Sequence, residues 1–167
     1  MIIFETERLI VRPLTEADSE KYFALHGDAE IMRYIRPAKT REECDLMLKE
    51  HIELNKQLYP CGRWLVYDRH TDHFTGSFVI IPILNTGLMQ LGYSLLKEHW
   101  GKGYASELIR GGLNYTFTKT PLEEIYAVVE EGNIASEKAL LRAGFERDIV
   151  LREGDKLLMR FVMKKWV

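Results

Sequence analysis

Apolar positions along this chain recur with two periods, and the switches between them mark out short elements closed by turn residues. Arg8-Leu9-Ile10-Val11-Arg12 reads as a strand running into Pro13. Thr15-x-x-Asp18 has the form of a capping box, with Asp in place of the usual Glu, and predicts a helix carrying Tyr22, Phe23 and Leu25. Thr40-x-x-Glu43 is a full capping box. It predicts a second helix to about Leu58, with Leu46, Leu48, Ile52 and Leu58 on its apolar side, stopped by Pro60-Cys61-Gly62. Trp64 to Tyr67, Phe74 to Ile83 and Met89 to Leu96 then read as strands joined by the polar turns Arg69 to His73 and Asn85-Thr86-Gly87, which predicts an antiparallel meander.

A helical period follows from Gly103 to about Phe117, with Leu108, Ile109, Leu113 and Phe117 on one side. Glu124 to Val129 is the next strand. Because it is reached through a helical crossover, it is expected to lie parallel to the strand before that helix. A helix from Ile134 to Ala143 ends at Gly144 as its C′ residue, and Ile149 to Arg152 and Leu157 to Val162 form a last hairpin around Glu153-Gly154-Asp155. Without an internal repeat, low-complexity tract or linker, residues 1–167 are expected to form one α/β domain.

Composition narrows the partners. The chain carries 23 Lys plus Arg against 25 Asp plus Glu, a net charge of −2, so no basic field favours nucleic acid. Met1 to Arg8 lacks the basic start and apolar run of a leader, and no stretch approaches about 18 uninterrupted apolar residues, so a cytoplasmic protein that engages no membrane is expected. Cys44 and Cys61 lack metal-ligand spacing and read as two reduced thiols. His70-Thr71-Asp72-His73 falls in a hairpin turn without a fourth ligand, so no metal is expected there.

The segment with most chemistry is Trp100-Gly101-Lys102-Gly103-Tyr104-Ala105, between a strand and a helix. Two residues without Cβ let several amides converge on one point, and the positive end of the helix adds to the same spot, so the turn suits an anion such as a phosphate. It is neither a P-loop nor a dinucleotide fingerprint, since the Gly-x-x-x-x-Gly-Lys-Ser/Thr run and the third glycine are both missing. Asn133-x-x-Ser136 opens the following helix. Asn is a favoured N-cap, and Ser136 lies one turn on along the same face.

The order β-α-α-β-β-β-α-β-α-β-β, with Gly-x-Gly after the fourth predicted strand and Asn-x-x-Ser ahead of Gly144-Phe145, resembles the GNAT superfamily of acyl-CoA-dependent N-acetyltransferases over nearly the whole chain. Thr6-Glu7-Arg8-Leu9-Ile10-Val11-Arg12-Pro13-Leu14, Glu30-Ile31-Met32-Arg33-Tyr34, Gly92-Tyr93, Trp100 to Glu107 and Asn133-Ile134-Ala135-Ser136 resemble more narrowly the branch that acetylates N-termini of ribosomal proteins. The resemblance implies the GNAT fold, a mixed and mostly antiparallel central sheet splayed between the fourth and fifth predicted strands and flanked by helices. It also implies acetyl-CoA as cosubstrate, its pantetheine arm in the splay and its pyrophosphate on the turn.

Carried over residue by residue, Leu95, Leu96, Trp100, Gly101, Lys102, Gly103, Tyr104, Ala105, Ser106, Asn133, Ser136 and Lys138 are the expected cofactor-binding residues, with Arg142 a further candidate for the phosphates. The amide of Leu95 or Leu96 is the expected oxyanion donor. Relatives that protonate the departing thiolate with a tyrosine place it where this chain has Leu140, so Ser136 becomes the candidate acid and Tyr93 the second. Glu98 replaces the Gln or Arg that usually opens the turn and is expected to face solvent. No base is obvious. Gln90 stands where some relatives carry a carboxylate, while His26 and Glu5 read as solvated surface residues able to act only through water. The expected partner is a primary amine, on a protein N-terminus or on a small molecule such as a polyamine, amino acid or aminoglycoside; a non-catalytic acyl-CoA-binding module is the alternative from another class. Trp64, Phe78, Tyr34 and Trp100 are candidates to line the acceptor cleft. The resemblance implies a monomer or a homodimer.

Overall fold

The computed structural model describes residues 1–166. Eight strands form one sheet: β1 (Phe4–Glu5), β2 (Leu9–Pro13), β3 (Gly62–Asp68), β4 (Phe74–Pro82), β5 (Met89–Leu95), β6 (Glu124–Glu130), β7 (Glu146–Glu153) and β8 (Lys156–Lys164). Their order across the sheet is β1-β2-β3-β4-β5-β6-β8-β7, antiparallel throughout except for β5 beside β6. Four α-helices flank it: α1 (Ser19–His26), α2 (Arg41–Leu58), α3 (Tyr104–Lys119) and α4 (Ile134–Ala143). The mixed, mostly antiparallel sheet and the parallel crossover agree with the sequence expectation.

Both expected capping boxes form. Thr15 and Asp18 cap a short 3-10 turn that runs directly into α1, and Thr40 and Glu43 cap α2 reciprocally. The apolar face of α2 differs from expectation. Cys44, Met47, Leu48 and His51 point inward at helical spacing, whereas Leu46 is 64% exposed. Leu48, Ile52 and Leu58 do pack on the core as expected, so only Leu46 leaves the face, and a buried cysteine, methionine and histidine complete the stripe.

Alternation on the strands divides the core in two. Ile10, Leu65 and Tyr67 pack against Tyr22, Leu25, Met47 and Leu48 of α1 and α2. Their strand neighbours Leu9, Val11 and Val66, with Phe78 and Ile80 of β4, pack on the other side with Leu108, Ile109 and Leu113 of α3 and Leu140 of α4. Phe78 therefore belongs to the core and not to a cleft. It needs Gly112 beneath it, since a Cβ there would lie 2.2 Å from Phe78 Cζ.

The terminal hairpin is longer than expected, and its second strand takes the inner position. β8 pairs with β6 and buries Phe161, which leaves the charged β7, with Glu146, Arg147, Asp148 and Arg152, as the exposed edge. β1, too short to leave a period in the sequence, covers the other edge.

One seam is incomplete. β5 meets β6 at a single ladder pair, Gln90 with Tyr126, and beyond it Leu91 to Leu95 have no ladder partner on β6. The splay expected between the fourth and fifth predicted strands therefore lies between β5 and β6, and it opens toward the start of α3.

Candidate active site

The splay broadens into a cleft of about 780 Å³ whose walls come from β5, β6, the turn before α3, α4, and the α1–α2 side of the sheet. His26 Nδ1, His99 Nδ1 and Glu130 Oε2 are the buried side-chain polar atoms without a hydrogen-bond partner among the described residues, and all three residues line this cleft. Buried polar groups are rarely left unpaired, so their concentration here marks a place for a polar ligand.

At the α3 end the chemistry belongs to the backbone. Gly101 and Gly103 adopt φ values of +72° and +80°, in the left-handed region that favours glycine, and Gly103 is the N-cap residue of α3 with no side chain capping the helix. The amides of the first turn, through Tyr104, Ala105 and Ser106, thus lack both intrahelical and capping partners. A Cβ on Gly101 would meet nothing within 4 Å, so the turn is open on its outer side.

The turn is braced from the far edge of the sheet. Glu107 accepts from Thr6 Oγ1 at 2.5 Å, from the Arg8 amide at 2.7 Å and from Arg8 Nε at 2.7 Å; Arg8 Nη1 then donates to the Lys102 carbonyl at 3.0 Å. Burial works against the Glu107 charge, but the hydrogen bonds from Thr6 and Arg8 outweigh it and hold the carboxyl below its ordinary value. The Arg8 guanidinium also lies over the Tyr104 ring at 4.3 Å. The Thr6-to-Arg8 motif, far from the turn in sequence, is thereby joined to it.

Along β5 the two candidate oxyanion donors separate. The Leu96 amide donates to the Thr75 carbonyl at 2.9 Å and faces β4, so it is not available to the cleft, which Leu96 does not line. By the alternation of the ladder, the Leu95 amide and carbonyl face the opposite way, into the splay. Trp100 Nε1 donates to that carbonyl at 2.9 Å, which seats the indole across the mouth. Also from β5, Tyr93 Oη reaches across the cleft and donates to Ser136 Oγ of α4 at 3.1 Å, joining the two candidate acids in one pair. Burial raises the Tyr93 pKa further than its bond to Ser136 lowers it, so the phenol keeps its proton at neutral pH. Asn133 Oδ1 accepts from the Ser136 amide at 3.4 Å as an N-cap, which leaves its amide hydrogens free to meet a ligand while the cap is in place.

Other candidates lie elsewhere. Lys102 and Lys138 are exposed and do not line the cleft, whereas Arg142 does. Glu98 is exposed beside the turn. Tyr34 and Trp64 line the cleft, and Phe78 does not. Glu5 pairs with Arg69. His26 is only 9% exposed, which corrects its reading as a solvated surface residue. In the His70–His73 turn, Asp72 pairs with Arg12 at 2.6 Å and His70 Nε2 lies 3.2 Å from the Glu7 carbonyl; among the described residues no group of three or more His, Cys, Asp or Glu is placed to hold a metal. No helix among the described residues is long and apolar enough to cross a membrane.

The Acetyltransferase (GNAT) domain model matches residues 8–146. The chain belongs to the GNAT acetyltransferase family. It is 32% identical over 154 residues to the uncharacterized N-acetyltransferase YoaA of Bacillus subtilis, covering 90% of this chain and 86% of that one. Its fold matches an acetyltransferase of Salmonella typhimurium that modifies the N-terminal serine of ribosomal protein L7/L12, with TM-score 0.82, 15% identity and 99% of each chain covered. It also matches spermidine N-acetyltransferase from Vibrio cholerae in complex with CoA and spermine, with TM-score 0.79, 24% identity and 94% and 95% of the two chains covered. As a member of this family the protein is an acyl-CoA-dependent N-acetyltransferase that moves an acetyl group from acetyl-CoA to an amine. The open turn, the unpaired first-turn amides and the splayed strands fit that cosubstrate.

Residues that carry much of the other end of the cleft, namely Tyr22, Arg36, His51 and Arg63, were not legible as site residues. The signal was a polar residue at an inward position: His51 continues the Cys44, Met47, Leu48 stripe, and Arg63 stands at the start of β3 on the face of Leu65 and Tyr67.

Proposed function

We propose that this acetyltransferase acts on an α-amine by direct attack within a ternary complex. The observation that carries the reading is the continuity of one cleft from the unpaired amides of α3, past the Leu95 amide and the Tyr93–Ser136 pair, to the α1–α2 side of the sheet. The amine nitrogen attacks the thioester carbonyl, the Leu95 amide donates to the oxygen that gains charge, the C–S bond breaks as the departing sulfur takes a proton from Ser136, and the proton shed by the nitrogen passes through water to restore the serine hydroxyl. A preorganised donor of the first kind is typically worth about 3 kcal/mol. The Tyr93 hydroxyl, donating to Ser136 Oγ, orients the serine so that its own proton is free to be given. Asn133 Nδ2 and Arg142 serve the cosubstrate arm and phosphates beside Gly101 to Ser106.

An α-amine is favoured because neither Gln90 nor His26, the positions beside the reacting centre and on α1 considered for a base, can act as one. Gln90 offers no carboxylate, and the His26 imidazole is pushed down from 6.5 to about 4 by burial and by the neighbouring Arg36, Lys39 and Arg63. On this reading the acceptor loses its first proton to water. With a pKa near about 8, an α-amine is neutral roughly a tenth of the time at pH 7, against fewer than about one in a thousand for a lysine amine near 10.4. The N-terminal serine of L7/L12, which the Salmonella acetyltransferase modifies, is an acceptor of this kind.

Thiol release from acetyl-CoA with a panel of α-amines, lysine side-chain amines and polyamines tests the acceptor. Ser136→Ala should lower kcat about a hundredfold and Tyr93→Phe about tenfold, with little change in acetyl-CoA affinity. If Ser136→Ala stays within about threefold of the parent, the acid role is wrong.

A further inference from the structure

The end of the cleft remote from α3 is built by side chains that no step above uses. Tyr22 and His26 come from α1, Arg36 from the α1–α2 connection, His51 from α2 and Arg63 from β3, and all five line the cleft. Arg63 shares the sheet face of Leu65 and Tyr67, beneath the two helices, and its backbone is fixed by Asn55, whose side chain both donates to and accepts from it at 2.8 Å. Tyr22 Oη and His51 Nδ1 share a hydrogen bond at 2.5 Å and Tyr22 packs against the His26 ring at 4.6 Å, so these aromatic residues form one buried block.

Two features of this block set it apart. Arg8, Arg12, Arg41, Arg69, Arg147 and Arg160 each pair with a carboxylate; among the described residues without such a partner, Arg33, Arg110, Arg142 and Arg152 are exposed, whereas Arg36 and Arg63 are half-buried. Arg36 Nη1 meets only Met47 Sδ at 3.6 Å, and the Arg63 guanidinium has no hydrogen-bond partner there although burial lowers its pKa. The second feature is His26 Nδ1, buried and without a partner in the same block.

The charge around them stays positive. His26 is held neutral at about 4 and His51, pushed down from 6.5 by burial and then by Arg63, His26 and Arg36, at about 3, so neither adds charge at pH 7 and neither cancels any. Of the three carboxylates that line the cleft, Glu30 is engaged by Lys97 at 3.3 Å, and Glu130 and Glu153 lie at the ends of β6 and β7. Burying guanidinium groups without a counter-ion is costly, and the cost is recovered when an anion arrives in a geometry that accepts two N–H donors.

We infer that this end of the cleft is a carboxylate subsite, in which Arg36 and Arg63 hold a carboxylate carried by the acceptor close to its reactive amine, with His26 as a neutral hydrogen-bonding neighbour. The inference rests on the α-amine reading and narrows it to α-amines with a nearby carboxylate: a free amino acid, or a peptide with an acidic side chain next to its N-terminus. The same two cations disfavour an ammonium beside them. They help the acceptor shed its proton, and they repel a polyamine.

The test reads binding, so it does not depend on turnover. CoA-loaded protein is titrated calorimetrically with N-acetylalanine against N-acetylalaninamide, with acetyl-Ala-Asp-amide against acetyl-Ala-Asn-amide, and with N-acetylspermidine. The carboxylate member of at least one pair should bind about tenfold tighter, as a charge-assisted pair implies. Arg63→Gln and Arg36→Gln should each remove most of that contrast while CoA affinity and thermal midpoint stay at or above the parent values, because an unpaired cation has been taken away. A contrast in the first pair identifies an amino-acid acceptor, and a contrast confined to the second identifies an acidic N-terminus; both support the subsite. Equal affinity within both pairs, a contrast that survives both substitutions, or tighter binding of N-acetylspermidine would overturn it. Failure to bind CoA would count against the cosubstrate end alone, since the same pairs titrated into the protein without CoA still decide the carboxylate contrast.

Discussion

The α3 end of the cleft and its α1–α2 end both present positive potential, but they build it differently. At α3 it comes from backbone: two glycines in the left-handed region and a helix start whose amides have no other partner. At the α1–α2 end it comes from side chains, two guanidinium groups kept without counter-ions among neutral histidines. Backbone amides cannot titrate and carry no desolvation cost of a full charge, so the first end is a fixed feature that any phosphate can use. The second end stores a cost in burial, and that cost makes it selective.

Substitutions that affect one end and spare the other sharpen this contrast. The largest effect is expected for Gly103→Val. At φ +80° a β-branched residue must leave the left-handed region and take the first amides of α3 with it, so acetyl-CoA affinity should fall about a hundredfold or more while the thermal midpoint changes little. A Cβ there would lie 3.4 Å from Arg8 Nη2, so crowding is not the main cause. Calorimetry with acetyl-CoA checks it; an unchanged Kd would remove the turn from the site, and an equal loss of acceptor binding would erase the distinction between the ends.

The next effect is on stability in acid, and it belongs to the other end. His26 has its folded pKa lowered from 6.5 to about 4, so below pH 6.5 the unfolded chain takes up a proton that the folded chain refuses. Stability is then complete above about 6.5 and falls as the pH drops toward 4, by on the order of 2–3 kcal/mol for this residue. His51 loses stability over an overlapping window that extends toward about 3. Arg36 and Arg63 act on both rings and Lys39 on His26, each opposing protonation. Urea unfolding at pH 7.0 and 4.5 should show His26→Gln with a visibly smaller acid loss than the parent, and an identical loss would mean that the ring is protonated or solvated in the fold.

The smallest effect concerns the brace behind the turn. Glu107→Gln weakens the charge-assisted bonds to Thr6 and Arg8 that carry Arg8 to the Lys102 carbonyl, and KM for acetyl-CoA should rise about three- to tenfold with the acceptor KM unmoved. If KM for acetyl-CoA is unaffected, the glycine turn holds its shape without Arg8.

The legibility of the two ends follows the same division. The Gly101–Gly103 turn, the Asn133 cap and the α3 start are local, because a helix start and its glycines are neighbours in the chain and their chemistry is backbone chemistry. Both capping boxes were legible for the same reason. The choice between the Leu95 and Leu96 amides was not, since it depends on which of two adjacent N–H groups β4 claims, and that is set by register with Thr75. The α2 stripe was misread where polar residues occupy inward positions, and His26, which looks like a helix end in sequence, is buried because Tyr22 and the α1–α2 connection close over it.

By itself, then, the sequence determined the local devices: where helices start and stop, which strands follow a crossover, and a turn whose glycines suit an anion. Each depends on interactions within a few residues, and hydrogen-bond geometry at that range leaves few alternatives. Only the tertiary structure decided that β8 lies inside β7, that Thr6 and Arg8 brace a turn about a hundred residues away, and that Arg36 and Arg63 meet in one cleft without a carboxylate between them. Those outcomes depend on which faces the core covers and which charges find partners across long loops. No local pattern encodes that, because an arginine left unpaired in the fold has the same sequence signature as one that is paired.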